Sequence, residues 1–295
     1  MSESKPATTP VDAAVVDMAP RDCGQSGVCD QNEKMVIGAV SYLNTKPLIA
    51  GLDSDSNDYK LQLDLPSRLA DQLADGKLDV ALVPVIEAVQ DSSYIIVSDA
   101  CIACHGPVWS VKLMSRVSPE EIRTLALDEG SRTSQALTRI LLAKQYGVTP
   151  QCQPLPMDQD WRNTECDAAL VIGDRAMNAE DASFPFVFDL GTEWKNWTGL
   201  PFVFAVWAAR ADADLPMLDL TLKQSRDYGL TQLSTLAKQN SERYALSDEE
   251  CFRYIDHYIR YNLGDEEKRG MQVYFDYAAE LSLIPEKQTL NFFTT

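Results

Sequence analysis

The run Ser131-Arg132-Thr133-Ser134 packs three hydroxyls and a guanidinium into four consecutive residues. Hydroxyls of this kind cap a helix start, and the free N–H groups and dipole there attract an anion. The guanidinium can clamp a carboxylate through two parallel hydrogen bonds. Three hydroxyls plus an arginine exceed what capping needs, so the run points to anion binding. Two other runs occupy comparable turns. Ser41-Tyr42-Leu43-Asn44 ends in an amide that donates and accepts, suited to a hydroxyl or carboxylate and equally suited to capping the segment from Thr45. Gly106-Pro107-Val108-Trp109-Ser110 puts a hydroxyl at the head of a strand, where serine is ordinarily structural.

Other chemistries find less to stand on. Cys101-Ile102-Ala103-Cys104-His105 matches the C-x-x-C-H pattern of haem attachment, and its thiols resemble half a zinc site. The second histidine is the distant His257, and no fourth zinc ligand presents itself, so two small buried thiols beside a turn are the expectation. Neither histidine neighbours a G-x-S-x-G, and the chain has no G-x-G-x-x-G and no Walker A loop. No metal and no cofactor are expected. Glu193 to Phe202 is dense in aromatics, including Trp194 and Trp197, which more often signals packing than substrate stacking.

These runs need strands and helices to hold them. Met35 to Val40, Tyr59 to Leu65, Leu78 to Val83, Arg123 to Asp128, Asp167 to Ile172, Phe184 to Leu190 and Pro201 to Ala208 read as strands. Pro66 to Gly76 and Ser131 to Tyr146 read as helices with apolar stripes and glycine stops. Alternation of the two predicts βαβ units and a largely parallel sheet. From Leu215 onward only helices are expected, over Leu218 to Gln239, Ser247 to Leu263 and Asp265 to Leu283. Val108 to Arg116 and Pro201 to Ala208 are the segments expected to cross between two lobes.

Composition narrows the partners. The 295 residues carry 26 Lys+Arg against 44 Asp+Glu, a net charge of −18 that repels nucleic acid and anionic membranes. No apolar run approaches the roughly 20 residues that span a bilayer. An anionic ligand therefore requires a local positive device, for which Arg132 is the candidate. Seven scattered cysteines do not form a disulfide framework. The first 34 residues lack the basic start and apolar stretch of a secretory signal, so the expectation is a disordered tail on a cytoplasmic protein.

Taken in order, Ser41-Tyr42-Leu43-Asn44 with Pro47-Leu48, Gly106-Pro107-Val108-x-Ser110, Ser131-Arg132-Thr133-Ser134, Ile172-Gly173-Asp174 and the block from Trp194 to Trp207 closely resemble the menaquinone-biosynthesis chorismate dehydratases of the futalosine pathway. The resemblance runs from about Met35 to Pro285. It implies a two-lobed α/β fold like the type II periplasmic solute-binding proteins, with a cleft between lobes, used as a cytoplasmic enzyme. The expected borders are a tail at 1–34, lobe 1 at 35–115 and 206–295, and an inserted lobe 2 at 116–205. It further implies conversion of chorismate to 3-[(1-carboxyvinyl)oxy]benzoate and water without a cofactor, a lyase reaction on a small-molecule substrate. Asn44 and Ser110 match the family positions tied to catalysis. Ser41, Tyr42, Ser131, Arg132, Thr133, Ser134, Ile172, Gly173 and Asp174 match segments that line the cleft. His105 departs from the acidic residue that many relatives carry before the Gly-Pro. The alternatives are the later naphthoate-forming enzyme of the same route and a non-catalytic solute-binding protein.

Overall fold

A computed structural model describes residues 34–53, 56–89, 93–211, 213–286 and 290–293. The expected disordered tail lies outside the described residues except for Lys34.

The chain opens with β1 (Met35–Val40), the short α1 (Lys46–Ile49), β2 (Tyr59–Asp64), α2 (Pro66–Ala74), β3 (Val80–Pro84) and the long β4 (Tyr94–Cys104). Pro66 starts α2 where a missing N–H costs nothing, and Gly76 ends the turn after it at φ +71°. Next come β5 (Val111–Ser115), β6 (Thr124–Asp128), α3 (Arg132–Gln145), β7 (Gln151–Leu155), β8 (Ala168–Ile172), α4 (Asp174–Met177), β9 (Phe186–Asp189) and α5 (Leu190–Thr198). The return is β10 (Phe202–Arg210), followed by α6 (Leu215–Thr231), α7 (Leu233–Asn240), α8 (Asp248–Arg253), β11 (Arg260–Asn262), α9 (Asp265–Glu280) and β12 (Asn291–Phe292).

The strands form two sheets. The first has the order β11-β4-β10-β3-β1-β2, with β12 also on β4, and the second has the order β7-β6-β8-β5-β9. Both are mixed, which corrects the expectation of a largely parallel sheet. The βαβ neighbours β1, β2 and β3 are parallel, as are β6, β7 and β8. β10 runs antiparallel to β3 and β4, because β4 leads the chain out of the first sheet and β10 brings it back.

Strand pairing also moves the crossings. β5 already belongs to the second sheet and all of β10 to the first. The chain therefore crosses at 105–110 and 190–201, rather than along Val108 to Arg116 and Pro201 to Ala208, and the borders at 115/116 and 205/206 shift with it.

The C-terminal part contains a second departure. The expected helix from Ser247 to Leu263 holds only through α8, which starts on a Ser247–Glu250 capping box. A single wider π turn over Tyr254–Tyr258 follows, and the chain then extends into β11. Alternation of Ile259 and Tyr261, both buried, with exposed Arg260 and Asn262 suits an edge strand on β4 better than a continued helix. The helix expected over Leu218 to Gln239 likewise breaks, at Gln232.

One apolar cluster runs continuously through the first sheet and onto one face of the second. The other face of the second sheet has its own cluster around Trp161 and Phe184, whose rings meet edge-on at 5.1 Å. The tryptophan block is packing. Trp194 is fully buried on α5, donates its indole N–H to the Pro201 carbonyl at 3.0 Å, and meets Trp197, Phe202 and Tyr274 edge-on.

Candidate active site

Residues of the two sheets line a cavity that opens to solvent, with about 520 Å³ of empty space when the open part is included. Its walls come from both: Val40 at the end of β1, Tyr42 and Asn44 after it, Ile102 on β4 and Phe204 on β10 on one side, Val108, Ser110, Val111, Ser131, Ser134, Ile172 and Gly173 on the other. The lining is mostly apolar, with the hydroxyls and the amide as its polar groups.

Local backbone chemistry places each polar group. Ser131 is the N-cap of α3, its Oγ accepting the Ser134 N–H at 3.2 Å, while the two hydroxyls lie 3.0 Å apart. The positive end of a 14-residue helix thus opens on the cavity. Behind it, the buried Asp128 carboxylate accepts the N–H of Gly130 at 2.9 Å and of Ile172 at 3.2 Å, and pairs with Arg175. This one side chain fastens the turn before α3 to the end of β8. Burial raises its pKa, and Arg175 opposes that shift.

Tyr42 spans the cavity mouth. Its ring packs on Gly173, where a Cβ would lie 3.3 Å from the ring, and Gly173 adopts φ +63°. Its hydroxyl is buried with no hydrogen-bond partner among the described residues. Burial, seconded by Asp128 and Asp174, lifts that phenol well above its ordinary range, so it stays protonated.

Ser110 follows Trp109, which adopts the left-handed φ of +63° that a tryptophan rarely takes. The Ser110 Oγ is buried and accepts a hydrogen bond from the Tyr254 hydroxyl at 2.8 Å. Asn44 lines the same cavity. The structure thus brings together Asn44, Ser110, Tyr42, Ser131, Ser134, Ile172 and Gly173.

Four expected residues do not line the cavity. Arg132 turns away from it, bonding Asp71 of α2 at 2.8 Å and approaching Glu87 at 3.3 Å. Its guanidinium makes a contact between lobes, to carboxylates of the first lobe, while the N-cap Ser131 lines the cavity. Thr133 is buried and structural: its Oγ1 accepts the Ile86 N–H, and its carbonyl accepts the Tyr274 hydroxyl at 3.1 Å. Ser41 uses its backbone, donating N–H to Asp64 and accepting from the Tyr244 hydroxyl. Asp174 starts α4 behind the cavity, lifted by burial to about 6 against the attraction of Arg243 and Lys46. The wall of the cavity carries no charged side chain among the described residues.

Cys101 and Cys104 are fully buried in β4, and burial lifts both thiols, Cys104 to about 12. His105 pairs with the Glu267 carboxylate at the start of the crossing.

A sequence pattern of the menaquinone biosynthesis family matches residues 35–280. The chain belongs to that family. Among curated proteins, it is 28% identical over 260 residues to the chorismate dehydratase of Thermus thermophilus, spanning 81% of this chain and 93% of that one. The chorismate dehydratase of Campylobacter jejuni is 28% identical over 177 residues, 58% of this chain and 66% of that one. Solved structures show the fold. Protein AF1704 from Archaeoglobus fulgidus superposes with a TM-score of 0.69 at 15% identity, over 85% of this chain and 98% of that one. The periplasmic aliphatic sulphonate binding protein SsuA of Escherichia coli gives 0.59 at 16% identity, over 87% and 90%. The family member described here thus has a periplasmic-binding-protein-like fold. Its cavity lies between the lobes, and no helix among the described residues is long and apolar enough to cross a membrane.

Proposed function

We propose that this chain is a chorismate dehydratase, a lyase that removes water from chorismate to leave 3-[(1-carboxyvinyl)oxy]benzoate. The observation that carries this reading is the meeting of Asn44 and Ser110 at one cavity between the lobes whose described lining is uncharged. Membership of the menaquinone biosynthesis family and the two curated dehydratases support it.

The reaction breaks the C–H bond at the ring carbon bearing the enolpyruvyl ether and the C–O bond of the neighbouring hydroxyl. Proton and hydroxide leave as water, and the ring becomes aromatic. Aromatisation supplies driving force, so the protein's task is orientation and stabilisation of charge as it develops. Ser110 and Asn44 hold the departing hydroxyl and the enolpyruvyl arm. Tyr42 and the hydroxyls at the head of α3 receive a carboxylate, assisted by the helix dipole. Among the described residues the wall offers no Asp, Glu, His or Lys to take the proton, which supports a carboxylate of the substrate itself as the acceptor. Five free cysteines among the described residues fit a reducing, cytoplasmic setting.

Incubation of the purified protein with chorismate tests the reading. A product one water lighter, with a new aromatic ultraviolet band growing in proportion to enzyme, is the expected result. Chorismate bound tightly and recovered unchanged would instead indicate a solute-binding protein.

A further inference from the structure

Tyr254 has no place among the motifs that the sequence offers, yet it holds one of the two residues assigned to the reaction. It opens the π turn after α8, is almost wholly buried, and does not line the cavity. Turns of this wider kind interrupt helices and often occur at functional sites. Its hydroxyl donates to Ser110 Oγ at 2.8 Å. Its ring is held edge-on by Trp109 at 6.0 Å, the residue whose strained backbone delivers Ser110. Trp109 in turn lies 5.8 Å from Tyr258, at the other end of the same π turn.

From this arrangement we propose that Tyr254 is a positioning residue of the dehydration, the start of a relay that runs from its hydroxyl through Ser110 Oγ into the cavity. The proposal rests on the chorismate dehydratase reading and deepens it. A hydroxyl has one hydrogen to give. With the phenol donating to Ser110, the Ser110 hydrogen has no partner in the relay and points into the cavity. There it meets charge developing on the departing hydroxyl. Each bond in such a chain polarises the next, making Ser110 a stronger donor than an isolated serine. Burial holds the phenol well above its ordinary range, so the direction of the relay does not reverse with pH.

The test is a kinetic cycle on the full chain with chorismate, using Y254F, S110A and the double variant. Y254F keeps the buried ring and removes only the donor. It is expected to lower kcat roughly tenfold with KM within twofold, and to have no further effect in the S110A background. An equal loss in both backgrounds would mean that Tyr254 acts independently of Ser110 and would overturn the relay, as would wild-type kcat in Y254F. Wild-type protein that makes no product brings down the dehydratase reading and the relay together. Normal wild-type turnover beside an unaffected Y254F removes the relay alone.

A second measurement does not depend on turnover or on the folding of Y254F. In mixed H2O/D2O, the ¹³Cζ signal of Tyr254 in the wild-type protein is expected to split into two resolved lines, because a buried, bonded hydroxyl exchanges slowly. The lines should merge in S110A. A single wild-type line, or a split unchanged by S110A, counts against the relay.

Discussion

The Asp189 carboxylate accepts the backbone N–H of Trp109 at 2.6 Å, joining the end of β9 to the strained residue beside Ser110. The same carboxylate accepts the Val108 N–H at 3.0 Å and caps α5 through the Thr192 N–H at 2.9 Å. One side chain therefore ties the outgoing crossing between lobes to the returning one. Gly191 completes the junction: a Cβ there would lie 2.3 Å from the Gly106 carbonyl, so only glycine lets the two crossings touch.

Asp189→Ala is expected to cost about 2–3 kcal/mol of stability, from one lost cap and two N–H groups left without their acceptor. It should also lower kcat at least tenfold, because Trp109 is freed to leave its left-handed conformation and carry Ser110 with it. Urea unfolding and steady-state kinetics check both, and a variant with wild-type unfolding would show that the clamp is dispensable.

Asn44→Ala and Ser110→Ala should each lower kcat by about 10²–10³, the usual consequence of removing one preorganised donor from developing charge. KM should change little, since neither group carries the main burden of holding the substrate carboxylates. Turnover within a few-fold of wild type in both variants would remove the mechanism.

Arg132 separates substrate clamping from lobe contact. Its partners Asp71 and Glu87 are protein carboxylates, and the Asp71 side of the pair is solvent-exposed. Arg132→Ala is therefore expected to cost less than about 1 kcal/mol in unfolding and to leave kcat and KM within a few-fold. A hundredfold rise in KM would place the guanidinium on the substrate after all.

Asp174 predicts a pH effect of unusual sign. Burial lifts it to about 6 from an ordinary value near 3.8, against Arg243 and Lys46. Between about pH 4 and 6 the folded chain holds a proton that the unfolded chain has released, so this group's contribution to stability falls as pH rises through that window. Asp174→Asn should melt close to wild type near pH 4 and above it at pH 7. A lower melting temperature at pH 7 would show that the attraction to Lys46 and Arg243 outweighs burial.

Much of this molecule is legible locally. Strands such as Val80–Pro84 and Ala168–Ile172 are continuous apolar runs, and α3 begins on Ser131 and stops before Gly147 because capping and left-handed stops act over a few residues. The turns that hold Asn44, Ser110, Ser131 and Gly173 are equally local, which is why their spacing and chemistry could be read along the chain. Only the tertiary structure decided which of them share a cavity. Arg132 follows Ser131 directly yet faces the opposite way, since successive residues on a helix point about 100° apart and only packing selects the inward one. Asp128 and Tyr254 do their work across 44 and 144 residues of sequence, by hydrogen bonds whose partners are neighbours only in the folded chain. The same holds for the sheets: strand propensity sets which segments extend, while the route of the chain between lobes sets which run antiparallel.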